Sequence, residues 1–404
     1  MTPPQVKPEL LRWARERAGF ELGPLSRRFP SLARWERGER RPTLKSIQRF
    51  ARAVYVPVDT LFLPKPPIER LAIPDRRSPD NERRRRPSAD LLETLEVCRG
   101  RQAWYREYAQ SQGDTASNGG SRWGSQAGSQ AGSQAGSQAG SQPGSGKADA
   151  DVAETAAGIR RALGLSLDTQ RKPPTWVDGL RRLTERIESL GVLVMSSSVV
   201  LNNNRRRLRP EEFRGFALAG PIAPLVFVNA AATKAEQMFT LAHALAHLWL
   251  GQSALCDAQS AAESPEPGER WCSRLGAEIL VPFDALQAEY RPAAELADEV
   301  TRLTRRFKVS PLVILARLRE AGALTAEDLA RESQAEVERL RALPKGRGGN
   351  FYLSLGVRVS KRFARALVAS AADGRASPAD ALRLLGLRKA ETLQGFSQRL
   401  GVTP

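Results

Sequence analysis

The sequence predicts a mainly α protein with one small α+β unit, and three observations carry that expectation. Apolar residues recur at helical spacing over most of the chain. Three short apolar runs bounded by turn residues, at 191–195, 216–219 and 224–229, read as strands and precede one long apolar helix. Between the two helical halves lies a Gly/Ser/Gln tract that cannot bury enough apolar surface to offset its ordering entropy.

Each element has its own signal. Residues 8–18 place Leu10, Leu11, Ala14 and Ala18 on one face, and Gly19 ends the helix. A second short helix over 22–29 is broken by Pro30, and another covers 44–53. Residues 64–87 form a Pro- and Arg-rich connector, whose run at 83–86 reads either as a phosphate grip or as solvated linker. Helices follow at 88–109, 153–163 and 175–190, with four GSQA tetrads between the first two making a flexible linker. The three strands come next, two of them separated by the polar loop LNNNRRRLRPEEFRG. They would support one side of the apolar helix at 233–250 and leave its other side open as a cleft. Beyond it, helices are expected at 309–321 and 326–343, with two more in the last fifty residues. The resulting division is 1–65, 66–110, 111–147, 148–322 and 323–404.

The net charge of +18 points to a polyanionic partner, most simply nucleic acid. Residues 1–90 hold 21 Lys/Arg against 11 Asp/Glu, so more than half of the excess lies in the first quarter of the chain. Three cysteines without C-x-x-C spacing fit a reducing compartment. No apolar run approaches the roughly 20 residues of a membrane span, and the first ten residues lack a signal-peptide core. A cytoplasmic protein without a membrane partner is therefore expected.

The chemistry concentrates in TKAEQMFTLAHALAHLWL, which holds both histidines, His243 and His247. Residues four apart stand one turn above each other on a helix, so the two imidazoles can share one zinc. This is the frame of the H-E-x-x-H motif, whose glutamate is a general base, but here that position is Ala244. Packed core histidines are the alternative.

Two resemblances follow. Trp35-Glu36-Arg37-Gly38-Glu39-Arg40-Arg41-Pro42-Thr43 resembles the turn after the recognition helix of Cro/repressor-type (XRE) helix-turn-helix domains. The resemblance implies double-stranded DNA as partner, with Ser31, Arg34 and Arg37 facing it and Arg40, Arg41 and Lys45 on phosphates. Only nine residues separate Leu25 from Trp35, fewer than in the usual module, which shortens the recognition helix and favours nonspecific contact or docking.

The stretch FTLAHALAHL resembles the F-T-L-A-H-E-L-[GA]-H-L block of the ImmA/IrrE metallopeptidases, and ERWCSRLGAEILVP resembles their second motif helix. The resemblance spans about 153–318 and implies a zincin-like domain with one zinc. Its ligands would be His243, His247 and, within Gly276-Ala277-Glu278, Glu278, leaving a fourth position for water. Glu263, Glu266 and Glu269 remain alternative third ligands, and Cys256 and Cys272 could bind through thiolate. In active members the residue after the first histidine takes up a proton, so Ala244 implies a loss of about 100- to 10,000-fold in rate. The expected function is an XRE-type DNA-binding regulator fused to a catalytically impaired zinc-peptidase domain, with an XRE-type repressor or antitoxin-like protein as partner or substrate. An active zinc endopeptidase and a DNA-binding protein with a metal-free scaffold are the other readings.

Overall fold

The structure, a computed structural model, describes residues 6–76, 87–113, 145–256, 266–342 and 351–402. The arginine run at 83–86 and nearly all of the Gly/Ser/Gln tract lie outside them. The chain divides into two compact units, Met1–Ala72 with Glu82–Glu96, and Ile73–Asn81 with Val97–Pro404.

The first unit is helical. It contains α1 (Pro8–Arg17), α2 (Leu22–Arg28), α3 (Leu32–Glu36) and α4 (Leu44–Ala53), then a 3-10 turn at Val58–Phe62. Pro8 opens α1, where its missing N–H costs nothing. The Thr43 hydroxyl caps α4 by accepting from Ser46 N at 3.3 Å. Leu11, Phe29, Leu32, Trp35, Ile47, Phe50 and Leu61 form the core. Phe50 receives Phe29 and Trp35 edge-on, at 5.7 and 6.5 Å between ring centres. Glu36 is buried and accepts two hydrogen bonds from Arg15, at 2.7 and 3.0 Å.

In the second unit, α5 (Ala89–Ser111, from Val97 on), α6 (Ser145–Ala162), α7 (Leu167–Arg171) and α8 (Trp176–Ser189) precede the sheet. The strands are β1 (Leu193–Ser197), β2 (Gly215–Leu218), β3 (Leu225–Asn229) and β4 (Ala254–Cys256), in the spatial order β1-β3-β2-β4. β1 and β3 are parallel, and β2 runs antiparallel to both β3 and β4. All five residues of β3 are buried, as a central strand requires, and Phe216 stacks on Phe227 across the ladder at 4.9 Å. The sequence reading expected three strands. The fourth, β4, spans only three residues, too few to show a period of two.

The outer edge of β4 is occupied by the chain itself. Arg76 N donates to Leu255 O and Leu255 N donates to Pro74 O, both at 2.9 Å. The long apolar helix is α9 (Lys234–Trp249), and α10 (Pro267–Leu280) follows β4. α9 packs on β2, β3 and α8 and, on the side expected to stay open, against α10. The remaining helices are α11 (Phe283–Glu289), α12 (Leu296–Phe307), α13 (Pro311–Glu320), α14 (Ala326–Ala342), α15 (Phe351–Val359), α16 (Lys361–Ala372), α17 (Pro378–Leu385) and α18 (Ala390–Leu400). Among the described residues, no helix is long and apolar enough to cross a membrane.

Candidate metal centre

α9 starts at a complete capping box. The Thr233 hydroxyl accepts from Glu236 N at 3.3 Å, and the Glu236 carboxylate accepts from Thr233 N at 2.8 Å. Glu236 also pairs with the buried Arg214, which ties the helix start to the residue before β2. Gly215 lets the sheet come close: a Cβ there would lie 2.5 Å from Phe227 O and 2.6 Å from Thr240 Cγ2. Residues 237–248 of α9 are buried with one exception, and His243 and His247 are each only 1% exposed.

α10 supplies the rest of the site from one face. Glu269, Cys272, Ser273 and Gly276 follow the i, i+3, i+4, i+7 spacing of a single helical stripe. Gly276 lies against the backbone of α9, and a Cβ there would stand 3.1 Å from His243 N. That approach places Ser273 Oγ 3.2 Å from His243 Nδ1, and Cys272 Sγ 3.6 Å from His247 Nδ1. The opposite ring nitrogens converge: His243 Nε2 and His247 Nε2 are 3.0 Å apart. Glu269 completes the group, its two carboxylate oxygens 3.3 Å from His243 Nε2 and 3.1 Å from His247 Nε2.

These distances suit a shared cation. Donor atoms about 2.0–2.1 Å from one tetrahedral zinc stand roughly 3.3 Å from each other. Glu269 Oε1 is buried and close to His247, yet it makes no hydrogen bond of regular geometry. The tautomers with protons on Nδ1, toward Ser273 and Cys272, leave two Nε2 lone pairs facing a carboxylate, which a metal ion satisfies. Burial opposes charge on Glu269, but hydrogen bonding and charge from His243 and His247 outweigh it when the facing nitrogens carry protons, and lower the carboxyl to about 2. Between neutral rings a bound cation supplies that stabilisation instead. Burial, with help from His243 and Arg76, keeps the His247 ring below its ordinary value despite Glu269. An ionised carboxylate beside a neutral imidazole is the form in which both bind metal. Cys256 Sγ belongs to the same buried group, in which the candidate ligand atoms all lie within 4.8 Å of one another.

Glu278, expected as the third ligand, lies elsewhere. Nine residues after Glu269 is about two and a half helical turns, which points it to the opposite side of α10. There it accepts from Phe283 N at 3.0 Å and pairs with the buried Arg317. The triplet Gly276-Ala277-Glu278 led the sequence reading to the wrong face, whereas the stripe from Glu269 to Gly276 was the signal that could have found the right one. Ala244 is buried, 2% exposed, one residue beyond His243.

In the first unit, Arg34, Arg37, Arg40, Arg41 and Lys45 are exposed and Ser31 is half-buried. Arg40 donates to Ser31 Oγ at 3.2 Å, and Arg37 pairs with Glu39. α3, on which Arg34 lies, has five residues.

Comparison with known families matches residues 187–319 to the IrrE N-terminal-like domain (Peptidase_M78). Residues 359–399 match a domain of unknown function, DUF8813. No curated protein matches the chain. The chain thus carries an IrrE-like domain of a metallopeptidase family, and that domain contains the histidines, Glu269, β1–β4 and Arg317.

Proposed function

We propose that this chain is a DNA-binding regulator whose IrrE-like domain holds one zinc and has lost efficient peptide hydrolysis. The observation that carries the reading is the buried group of His243, His247 and Glu269, with Ala244 where the motif has its base. His243 and His247 hold the metal through Nε2, oriented by Ser273 and Cys272 at Nδ1, while Glu269 brings the negative charge. Zinc bound there supplies a Lewis acid. Ala244 has no group that can hold or pass on a proton, and Glu269 is committed to the metal. Without a proton carrier the rate falls by about 100- to 10,000-fold.

The first unit acts as an XRE-type helix-turn-helix. The resemblance around Trp35–Thr43 and the exposed basic residues beside α3 support that role. With so short a helix, phosphate contact dominates over base reading, so affinity is highest at low salt and falls steeply as salt rises. An XRE-type repressor or antitoxin-like protein fits as the partner of the IrrE-like domain.

Metal content of the purified chain, measured beside a His243→Ala, His247→Ala double variant, tests the centre. About one zinc per chain, lost in the variant, is the expected result. Absence of metal from both would leave a metal-free scaffold and sink the reading. Negligible binding to duplex DNA at low salt would remove the nucleic-acid role.

A further inference from the structure

We propose that Cys256 is the fourth protein ligand of this centre, so that the metal sits in a closed shell of two histidines, one glutamate and one cysteine, with a structural role. The inference rests on the reading that a metal lies among His243, His247 and Glu269. Hydrolytic zinc sites keep one of four positions open, whereas structural sites fill all four with side chains. Among the described residues, Cys256 is the one further candidate ligand whose atom joins that group, and it is 2% exposed.

The fold pins this cysteine at the site. Cys256 is the last residue of β4 and pairs with Gly215, and its carbonyl accepts from Arg214 N at 3.1 Å. Arg214 is in turn paired with Glu236 in the cap of α9. One short network therefore connects the strand carrying the thiol to the helix carrying the histidines. The other nearby thiol differs in placement. Cys272 Sγ faces His247 Nδ1, the nitrogen directed away from Glu269, and lies outside the ligand group.

Charge balance favours the same assignment. Two neutral imidazoles, one carboxylate and a divalent ion leave a net positive centre, which is costly among donors only 1–5% exposed. A thiolate brings the sum to zero. On binding, the S–H bond breaks, the sulfur–metal bond forms, and the proton leaves to solvent. Arg76 does not supply the missing negative charge: it is a cation, and it is paired with Glu266.

Cobalt(II) substitution in the full-length chain tests the proposal, because a thiolate ligand gives cobalt an intense near-ultraviolet charge-transfer band. The expected result is that band in the natural sequence and in Cys272→Ser, whose hydroxyl can still meet His247 Nδ1, and its loss in Cys256→Ser together with at least about tenfold weaker zinc retention against a chelator. X-ray absorption at the zinc edge of the unsubstituted protein gives a second readout that needs no variant, with one sulfur neighbour expected. Cobalt bound without the band, or zinc without sulfur, overturns the Cys256 assignment and leaves the three-ligand centre standing. A band that survives Cys256→Ser and disappears in Cys272→Ser also overturns it. Failure of the natural chain to bind either metal removes both this inference and the metal reading beneath it.

Discussion

Glu269 and Glu278 belong to the same helix, but one lies among ring nitrogens and the other against a guanidinium. Their neutral variants should therefore fail in different assays. Glu269→Gln is expected to abolish stoichiometric zinc binding with little loss of helix content, read by metal analysis and circular dichroism. Glu278→Gln should retain metal yet unfold earlier, because Arg317 is 2% exposed and loses a charged partner. Breaking a buried pair costs about 3–5 kcal/mol, and the lower end applies here because Arg317 also pairs with Glu320. The two missing features of a hydrolytic centre can be restored separately. Ala244→Glu alone should give little cleavage of a peptide library while Cys256 fills the fourth position. Joined to Cys256→Ser, it should raise the rate on the order of 100-fold or more. Equal activity in the single and double variants would count against the closed shell.

At the scale of elements, the site depends on the approach of α10 to α9, and Gly276 sets that distance. Gly276→Ala should cost about 1–3 kcal/mol, since the new methyl would meet backbone atoms that cannot swing away. Weaker zinc retention should accompany the lower melting temperature. The cap of α9 introduces a pH dependence. Burial raises the Glu236 carboxyl, but Arg214 and the Thr233 amide outweigh it, so the net shift is downward. A carboxyl lowered on folding stabilises the protein above its unfolded value and loses that contribution as pH falls through the folded value. Glu236→Gln should thus lower stability by about 1–3 kcal/mol near neutral pH, with the gap closing in acid. A constant gap from about pH 7 to about pH 3 would contradict this account. Much at this scale is legible in sequence: α9, its histidines at i and i+4, and β1–β3 all carry a clear period. β4 carries none in three residues. The third ligand was ambiguous for another reason. Sequence offers several carboxylates after α9, and only the phase of α10, locked by a glycine against a backbone, selects Glu269.

At the scale of the molecule, the chain enters the second unit twice: residues 73–76 lie there before the chain returns to the first unit at Glu82–Glu96. A shortened chain starting at Val97 would leave Leu255 N and O without their partners from residues 74 and 76. Such a chain should self-associate more than one starting at Ile73, by light scattering at equal concentration, because an uncovered sheet edge recruits other strands. Equal behaviour would show that two hydrogen bonds are too few to guard the edge. The occupied edge also sets a threshold for visitors. A tethered segment competes at an effective concentration on the order of millimolar. An extended peptide arriving at β4 must therefore displace a resident that never diffuses away, and its apparent affinity is reduced by the small fraction of time the slot stands vacant.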